Sequence, residues 1–469
     1  MFAKETLEEI ERWKQHIHSP HYQLDWRWIK RFRQLDAYDA YWWWAYAGPF
    51  TQEEQQQWEQ LLKLLLDEET KKQLGNILVQ SREREITMAL AEQREPQLWY
   101  PALDSDEVRQ RIAGFLYLDE EIRTQEPNAI VRRLYHDMIA DEVAFLRMFE
   151  ATSTEDSEQF LACSQALYPA PTDEEMQEAV AYVKQSVVQG LVREDTREIA
   201  QHVLHLIEQQ LHLPFDTTSL QGVFEPSRPS PSGSPTMVSA QAAKRFFETV
   251  LRTSGYEEWR VVLEHQGAAR VESGLRCIFL PDTHFSLGRL RRLFAHELVG
   301  HVTRSIAGEH SLLGLLAIGT KNYAPTEEGL ALYHERQVAA LHGQTIDNVD
   351  LWELTLTVGL ACGVMTPPQT FSSLFTFLEA FYLLRRVLKR LDKDRQVAQQ
   401  RARNGAIGSC LRVFRGVPDT RQSGICATRD GIYLRGLRLI EQVAAQDASM
   451  LDRLMVGKTA LEYLPDLLA

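Results

Sequence analysis

The sequence predicts a mainly α-helical chain carrying one small β-sheet, an α+β fold. Three observations predict it. Most of the chain reads in stretches whose apolar residues recur every three to four positions, the period of a helix with one buried face. Two stretches only, EEWRVVLEHQ and GLRCIFLP, are short, β-branched and aromatic, with turn residues between them. The run Pro226–Pro235, rich in Pro, Ser and Gly, forms neither a helix nor a central strand and reads as an exposed loop.

The 469 residues suggest two or more structural units, enough to bury a sizeable core without disulfides. A net charge of −14 argues against nucleic acid or an anionic membrane as a partner. The five cysteines (Cys163, Cys277, Cys362, Cys410 and Cys426) contain no CxxC pair, so they read as buried thiols in a reducing compartment. The start, MFAKETLEEIERWK, lacks the charged-then-apolar pattern of a secretory signal. The most apolar run, Thr370 to Leu384, includes Thr, Ser and Glu and reads as a core helix rather than a membrane span. The expected location is the cytoplasm. The oligomeric state is not legible.

In order, residues 1–94 form a helical, Trp-rich N-terminal region, because eight of the ten tryptophans fall before residue 100. That cluster, with Trp42-Trp43-Trp44 at its centre, reads as core rather than as a binding platform, since aromatic rings are the main apolar payload of small helical units. Residues 95–469 form the second unit: helices over 95–222, the Pro/Ser loop over 223–238, and a third part over 239–469. His16, His18 and His21 cross a proline without nearby carboxylates and do not suggest a metal site. The pairs His136-Asp137 and Asp141-Glu142 read as ordinary polar helix faces. From Ser239, a plausible helix cap, SAQAAKRFFETVLRTSG is a helix stopped by glycine. The two strands follow, and Arg276 to Leu280 is either an exposed edge able to pair with an extended peptide or an internal strand.

The chemistry is concentrated in His296-Glu297-Leu298-Val299-Gly300-His301. Two histidines four apart share a helix face and bind zinc in the familiar protease motif. Here they are five apart, which is roughly 140° of rotation on a regular α-helix. One π-bulge would return the second imidazole to the same face, and Gly300 would tolerate the distortion. His296 and His301 are then metal ligands, with Glu297 as the base beside the metal. The alternative is a polar helix face with no ion. The next helix, Tyr323 to Glu335, favours the metal, because a catalytic zinc takes three protein ligands and a glutamate about thirty residues on is a sensible third.

HELVGH followed by TEEGLALYHE resembles the microtubule-associated tyrosine carboxypeptidase family, whose bacterial members carry a QEGLA motif and an expression-modulating label for flavohaemoglobin. The segments Arg412 to Gly416 and Thr428 to Gly436 resemble its closing motifs, and Glu95 to Tyr100 its opening segment. The resemblance implies a zincin-like metallopeptidase core preceded by a helical N-terminal region. It implies Zn²⁺ held by His296, His301 and Glu328, Glu297 as the catalytic glutamate, and Glu335 as a supporting group. Glu327 stands where many bacterial members have Gln, and is the less suitable ligand. The chain departs from the family after His301, with Ala307-Gly308 and Glu309-His310-Ser311-Leu312 in place of Asn-Gly and Gln-Pro pairs.

The function expected is a zinc carboxypeptidase that acts on a peptide or protein C-terminus. The resemblance adds an aromatic terminal residue. Tyr433 or an arginine would stabilise the oxyanion. An Arg fork suits the substrate's terminal carboxylate, and Arg304, Arg412, Arg415, Arg429 and Arg435 are the candidates. Two other classes stay open. A non-enzymatic regulator with a structural metal would need a fourth protein ligand such as His310 or His334. A zinc amidohydrolase acting on a small molecule would use the same site residues in a different pocket.

Overall fold

The computed structural model of the chain describes residues 23–36, 51–53, 56, 81–100, 105–214, 236–264 and 268–468. Trp42-Trp43-Trp44, the three histidines of HIHSPH and the run Pro226–Pro235 lie outside them. Helices with both ends described begin with α1 (Trp26–Leu35), α2 (Ser105–Gln125), α3 (Ala129–Ser153), α4 (Ser157–Leu167), α5 (Asp173–Val192) and α6 (Arg197–Gln209), and residues 81–91 are helical too. Their starts follow local chemistry. The Asn128 side chain accepts from Ile130 N and Val131 N at the head of α3. Thr172 and Glu175 form a reciprocal capping box on α5. Trp28, Ile29 and Phe32 of α1 join the same core as Phe115 and Tyr135. The Asp25 carboxylate is fully buried and accepts from Gly314 N at 2.7 Å, Leu315 N at 2.9 Å and Tyr135 Oη at 2.9 Å.

Ser239 caps α7 (Ala240–Thr253) through Ala242 N at 3.3 Å, and Gly255, at φ 79, turns the chain after it. Both expected strands form, as β2 (Arg260–Glu264) and β4 (Cys277–Pro281). A third strand that the sequence reading had assigned to a turn, β3 (Arg270–Glu272), lies between them in the chain. The order in the sheet is β2-β4-β3, with β4 parallel to β2 and antiparallel to β3. Strand β4 is therefore central, and the edge role open to Arg276–Leu280 is ruled out. A two-residue pair, β1 (Met237–Val238) with β5 (Phe285–Ser286), completes the β structure. The fold is mainly α with a small β component, as the periodicity predicts.

From β5 the chain enters α8 (Leu287–Leu293), a π-helix over Phe294–Val302, and α9 (Thr303–Glu309) without a break. Then follow α10 (Tyr323–Leu341), α11 (Val349–Cys362), α12 (Phe371–Leu388), α13 (Arg395–Val413), α14 (Ile432–Gln446), α15 (Ser449–Leu454) and α16 (Leu464–Leu468). Helix α12 buries Phe371, Leu374, Phe377, Phe381 and Leu384, so the apolar run is core. No helix among the described residues is long and apolar enough to cross a membrane. Arg385 and Arg386 of its basic end pair with Glu353 and Asp392. The cysteines are free thiols, Cys163 and Cys362 half-buried and the others buried, and Cys362 and Cys426 place their Sγ atoms 3.0 Å apart.

Leu298 and Val302 of the π-helix pack under the sheet with Phe247, Ile278 and Leu280. Leu330 of α10 packs the other way, against Ile440, Leu451, Leu454 and Leu464. Between these clusters the helices touch through small residues. A Cβ on Gly300 would stand 2.7 Å from Ala331 Cβ and 2.9 Å from its Cα. A Cβ on Gly329 would overlap the Gly436 carbonyl, and one on Gly436 would overlap the Pro325 carbonyl and stand 3.1 Å from Gly329 N. Gly300 lies within the π turn, as its spacing suggests, and is required there by close packing as well.

Gly329→Ala should lower the unfolding free energy by about 1–3 kcal/mol, the usual cost of overpacking. Gly408→Ala, at a helical site with nothing within 4 Å of the added methyl, should raise it by about 0.5–1 kcal/mol. Urea unfolding of the two variants checks both signs; a neutral Gly329→Ala would contradict the crossing.

Candidate metal centre and active site

The π-helix decides where the two imidazoles go. Its i→i+5 hydrogen bonding brings residues five apart onto one face. The His296 and His301 rings accordingly lie 4.9 Å apart, centroid to centroid, at 69° to each other. Helix α10, held against them at Gly300 and Ala331, contributes three carboxylates. Glu328 Oε2 lies 3.7 Å from His296 Nε2 and 3.9 Å from His301 Nε2. Behind the rings, Glu327 Oε1 is 2.9 Å from His301 Nδ1, and Glu335 Oε1 is 3.1 Å from His296 Nδ1. The first of these contacts is a hydrogen bond. In the second the approach is off axis, so that His296 Nδ1 has no well-directed partner although Glu335 is within reach.

Glu328 Oε2 is buried and has no hydrogen-bond partner, an expensive state for a carboxylate oxygen. Its distances to the two Nε2 atoms are too long for hydrogen bonds. They lie near the ~3.3 Å edge of a tetrahedron built on metal–ligand bonds of ~2.0–2.1 Å. Two Nε2 atoms, a shared carboxylate oxygen and a carboxylate behind each ring form a donor set that fits a zinc ion. Glu297 is a second carboxylate in the cluster, because one donor atom each from His296, Glu297 and His301 falls within 4.8 Å of the others. Position separates the two: Glu328 faces both Nε2 atoms, whereas Glu297 adjoins His296 on the π-helix and is 4 % exposed. Among the described residues, His310 and His334 are not part of the group formed by His296, Glu297 and His301.

The charges around the centre favour a cation. Burial works against a charged His296, but contact with Glu335 and the fields of Glu297 and Glu328 outweigh it and lift the imidazole to about 9. Burial raises the Glu297 carboxyl, against the pull of both imidazoles. Burial acts on Glu327 in the same sense, yet Lys458, His301 and Arg304 together hold it down at about 2. Tyr433, at the start of α14, is raised first by the field of Glu328 and then by burial, with Arg429 and Arg412 opposing, so its phenol keeps its proton.

The arginines expected to meet substrate divide. Arg304 is 0 % exposed and fully engaged: Nη1 donates to Glu327 Oε2 at 3.1 Å, Nε to Leu454 O at 3.2 Å and Nη2 to Thr459 O at 2.9 Å. It faces the interior, and the substrate role expected of it is withdrawn. Arg435, also expected at the substrate, ties α14 to α5 through Glu175, at 2.8 and 3.1 Å, and the carbonyls of Pro169 and Ala170. The charge of Arg415 acts on Tyr100, itself lifted by burial. Arg412 clasps Asp430, with Nη2 2.7 Å from Oδ1, and donates towards Tyr433. Arg412 and Arg429 are therefore the arginines on the Tyr433 side. Two residues that sequence reasoning missed are Lys458, which no motif marks, and Asp430, which stands in the closing motif without an assigned role.

A family model described as microtubule-associated tyrosine carboxypeptidase matches residues 218–380 and 394–469, which include every residue of the centre. The chain belongs to the microtubule-associated tyrosine carboxypeptidase family. That family is one of carboxypeptidases, which places a carboxypeptidase-like activity on this chain. The match begins at residue 218, later than the Glu95–Tyr100 segment expected to open the family domain, so helices α2 to α6 precede it. No curated protein and no solved structure matches the chain.

Within this family member, Arg304→Met should lower the unfolding free energy by about 3–5 kcal/mol, because it strands the buried Glu327 charge. Urea unfolding measures it. A variant of full stability with only a raised KM would instead restore Arg304 to the substrate.

Proposed function

We propose that the chain is a zinc-dependent metallopeptidase that removes the C-terminal residue, an aromatic one such as tyrosine, from a peptide or protein. The observation that carries this reading is the buried, unpartnered Glu328 Oε2 facing both Nε2 atoms at 3.7 and 3.9 Å. His296, His301 and Glu328 would hold the ion. An ion held there would supply a Lewis acid for the scissile carbonyl and would lower the pKa of a bound water to about 7.

The chain's own groups do the rest. Glu297 takes the water's proton on a carboxylate oxygen and passes it to the leaving amine, a role its place beside His296 in the cluster allows. Tyr433 donates a hydrogen bond from its phenol to the developing oxyanion. Arg412 and Arg429 put positive charge on the Tyr433 side, where the substrate's terminal carboxylate would be held. Asp430 fixes the Arg412 fork in its plane. The free thiols suit a reducing compartment, in line with a cytoplasmic location.

Glu297→Gln should keep zinc and lose about 10²–10⁴ in kcat/KM on peptides with a C-terminal tyrosine. His301→Ala should lose the metal as well. Elemental analysis together with a peptide-release assay separates the two, and full activity in Glu297→Gln would remove Glu297 as the base.

A further inference from the structure

The metal centre proposed above leaves open how His301 is kept pointing at Glu328. A carboxylate can only accept, so the 2.9 Å contact of Glu327 Oε1 with His301 Nδ1 requires the proton to sit on Nδ1. The Nε2 lone pair is then turned towards Glu328. Glu327 cannot rotate away, because its other oxygen takes Arg304 Nη1 at 3.1 Å. Arg304 is fixed in turn by the carbonyls of Leu454, at 3.2 Å, and Thr459, at 2.9 Å.

A second route reaches the same histidine through its backbone. Lys458 Nζ donates to Ser273 Oγ at 2.9 Å, Ser273 Oγ pairs with Ser305 Oγ at 2.7 Å, and Ser305 Oγ donates to His301 O at 3.1 Å. Both routes start in the segment 454–459, at and just after the end of α15. His296 has no equivalent, since its Nδ1 is off axis to Glu335.

We infer that Glu327 is a positioning residue for His301, and that Arg304 and the C-terminal segment 454–459 lock it, so that this segment sets the metal affinity of the centre. The inference rests on the metal-centre reading. A residue acting this way alters metal affinity in the folded protein, whereas a merely structural one alters only the melting temperature.

The test is zinc affinity by chelator competition on the full chain, unaltered and with Glu327→Ala or Glu327→Gln, with far-UV circular dichroism to confirm folding. Glu327→Ala should weaken zinc binding by about 10–100-fold. Glu327→Gln, whose amide oxygen still accepts from Nδ1–H without the charge, should weaken it by a smaller factor and keep KM while kcat falls. If Glu327→Ala does not fold, Glu327→Gln decides alone: a several-fold loss supports the inference and an unchanged affinity overturns it. Folded Glu327→Ala that binds zinc as tightly as the unaltered chain also overturns it. An unaltered chain that binds no zinc would overturn the metal centre itself, which is a separate result.

Discussion

Helix α10 meets the π-helix at Gly300 and α14 at Gly436, backbone against backbone, with Ala331 and Gly329 as its own contact residues. Everything at the centre depends on that separation. Side chains as short as alanine at Gly300 or Gly329 would push the helices apart, and a displacement of even 1 Å is large against a ligand tolerance of about 0.2 Å. The same two crossings bring Glu328 between the imidazoles and Tyr433 within the field of Glu328. Rigid helices, rather than loops, therefore carry the donor atoms, which is the arrangement best able to hold a site to a fraction of an ångström.

The electrostatics are consistent with that geometry. Arg304, Glu327 and Glu297 lie in the interior, where each ion costs several kcal/mol to desolvate. Apolar side chains of similar volume would commonly fold as well or better, so stability alone gives no reason for the network. Its position gives one: the charges run from the carbonyls of Leu454 and Thr459 through Arg304 and Glu327 to a single ring nitrogen of His301. On the opposite side, Asp430 and Arg412 brace Tyr433. In the proposed reading, one half of the site would orient the metal ligands and the other would present donors to a substrate.

The fold class was legible because helical periodicity and β-branched runs are local signals. The pairing of β2 parallel to β4, with the three-residue β3 antiparallel on the other side, was not, since strand order is decided by contacts distant in sequence. Within the centre, the five-residue spacing of His296 and His301 demanded a π turn, and the chain makes one over Phe294–Val302. It is the family resemblance, not the spacing, that points to Glu328 and Glu335, which share one face of α10 seven residues apart. Arg304 is one of five arginines that the sequence offers alike, and its direction is set by the carbonyls of a segment some 150 residues away, which no local pattern reveals. Glu327 was weighed only as a ligand. Its role behind the ring needs the position of Arg304 to be known first.

The central claim is that three side chains from two helices converge on one ion. Crystals of the full chain grown with zinc, measured for anomalous scattering on both sides of the zinc edge, test it most directly. The account predicts one strong peak at about 2.0–2.2 Å from His296 Nε2, His301 Nε2 and a Glu328 oxygen, with Glu297 close by but not bonded. A peak elsewhere, or one held by Glu297 while Glu328 points away, would contradict it.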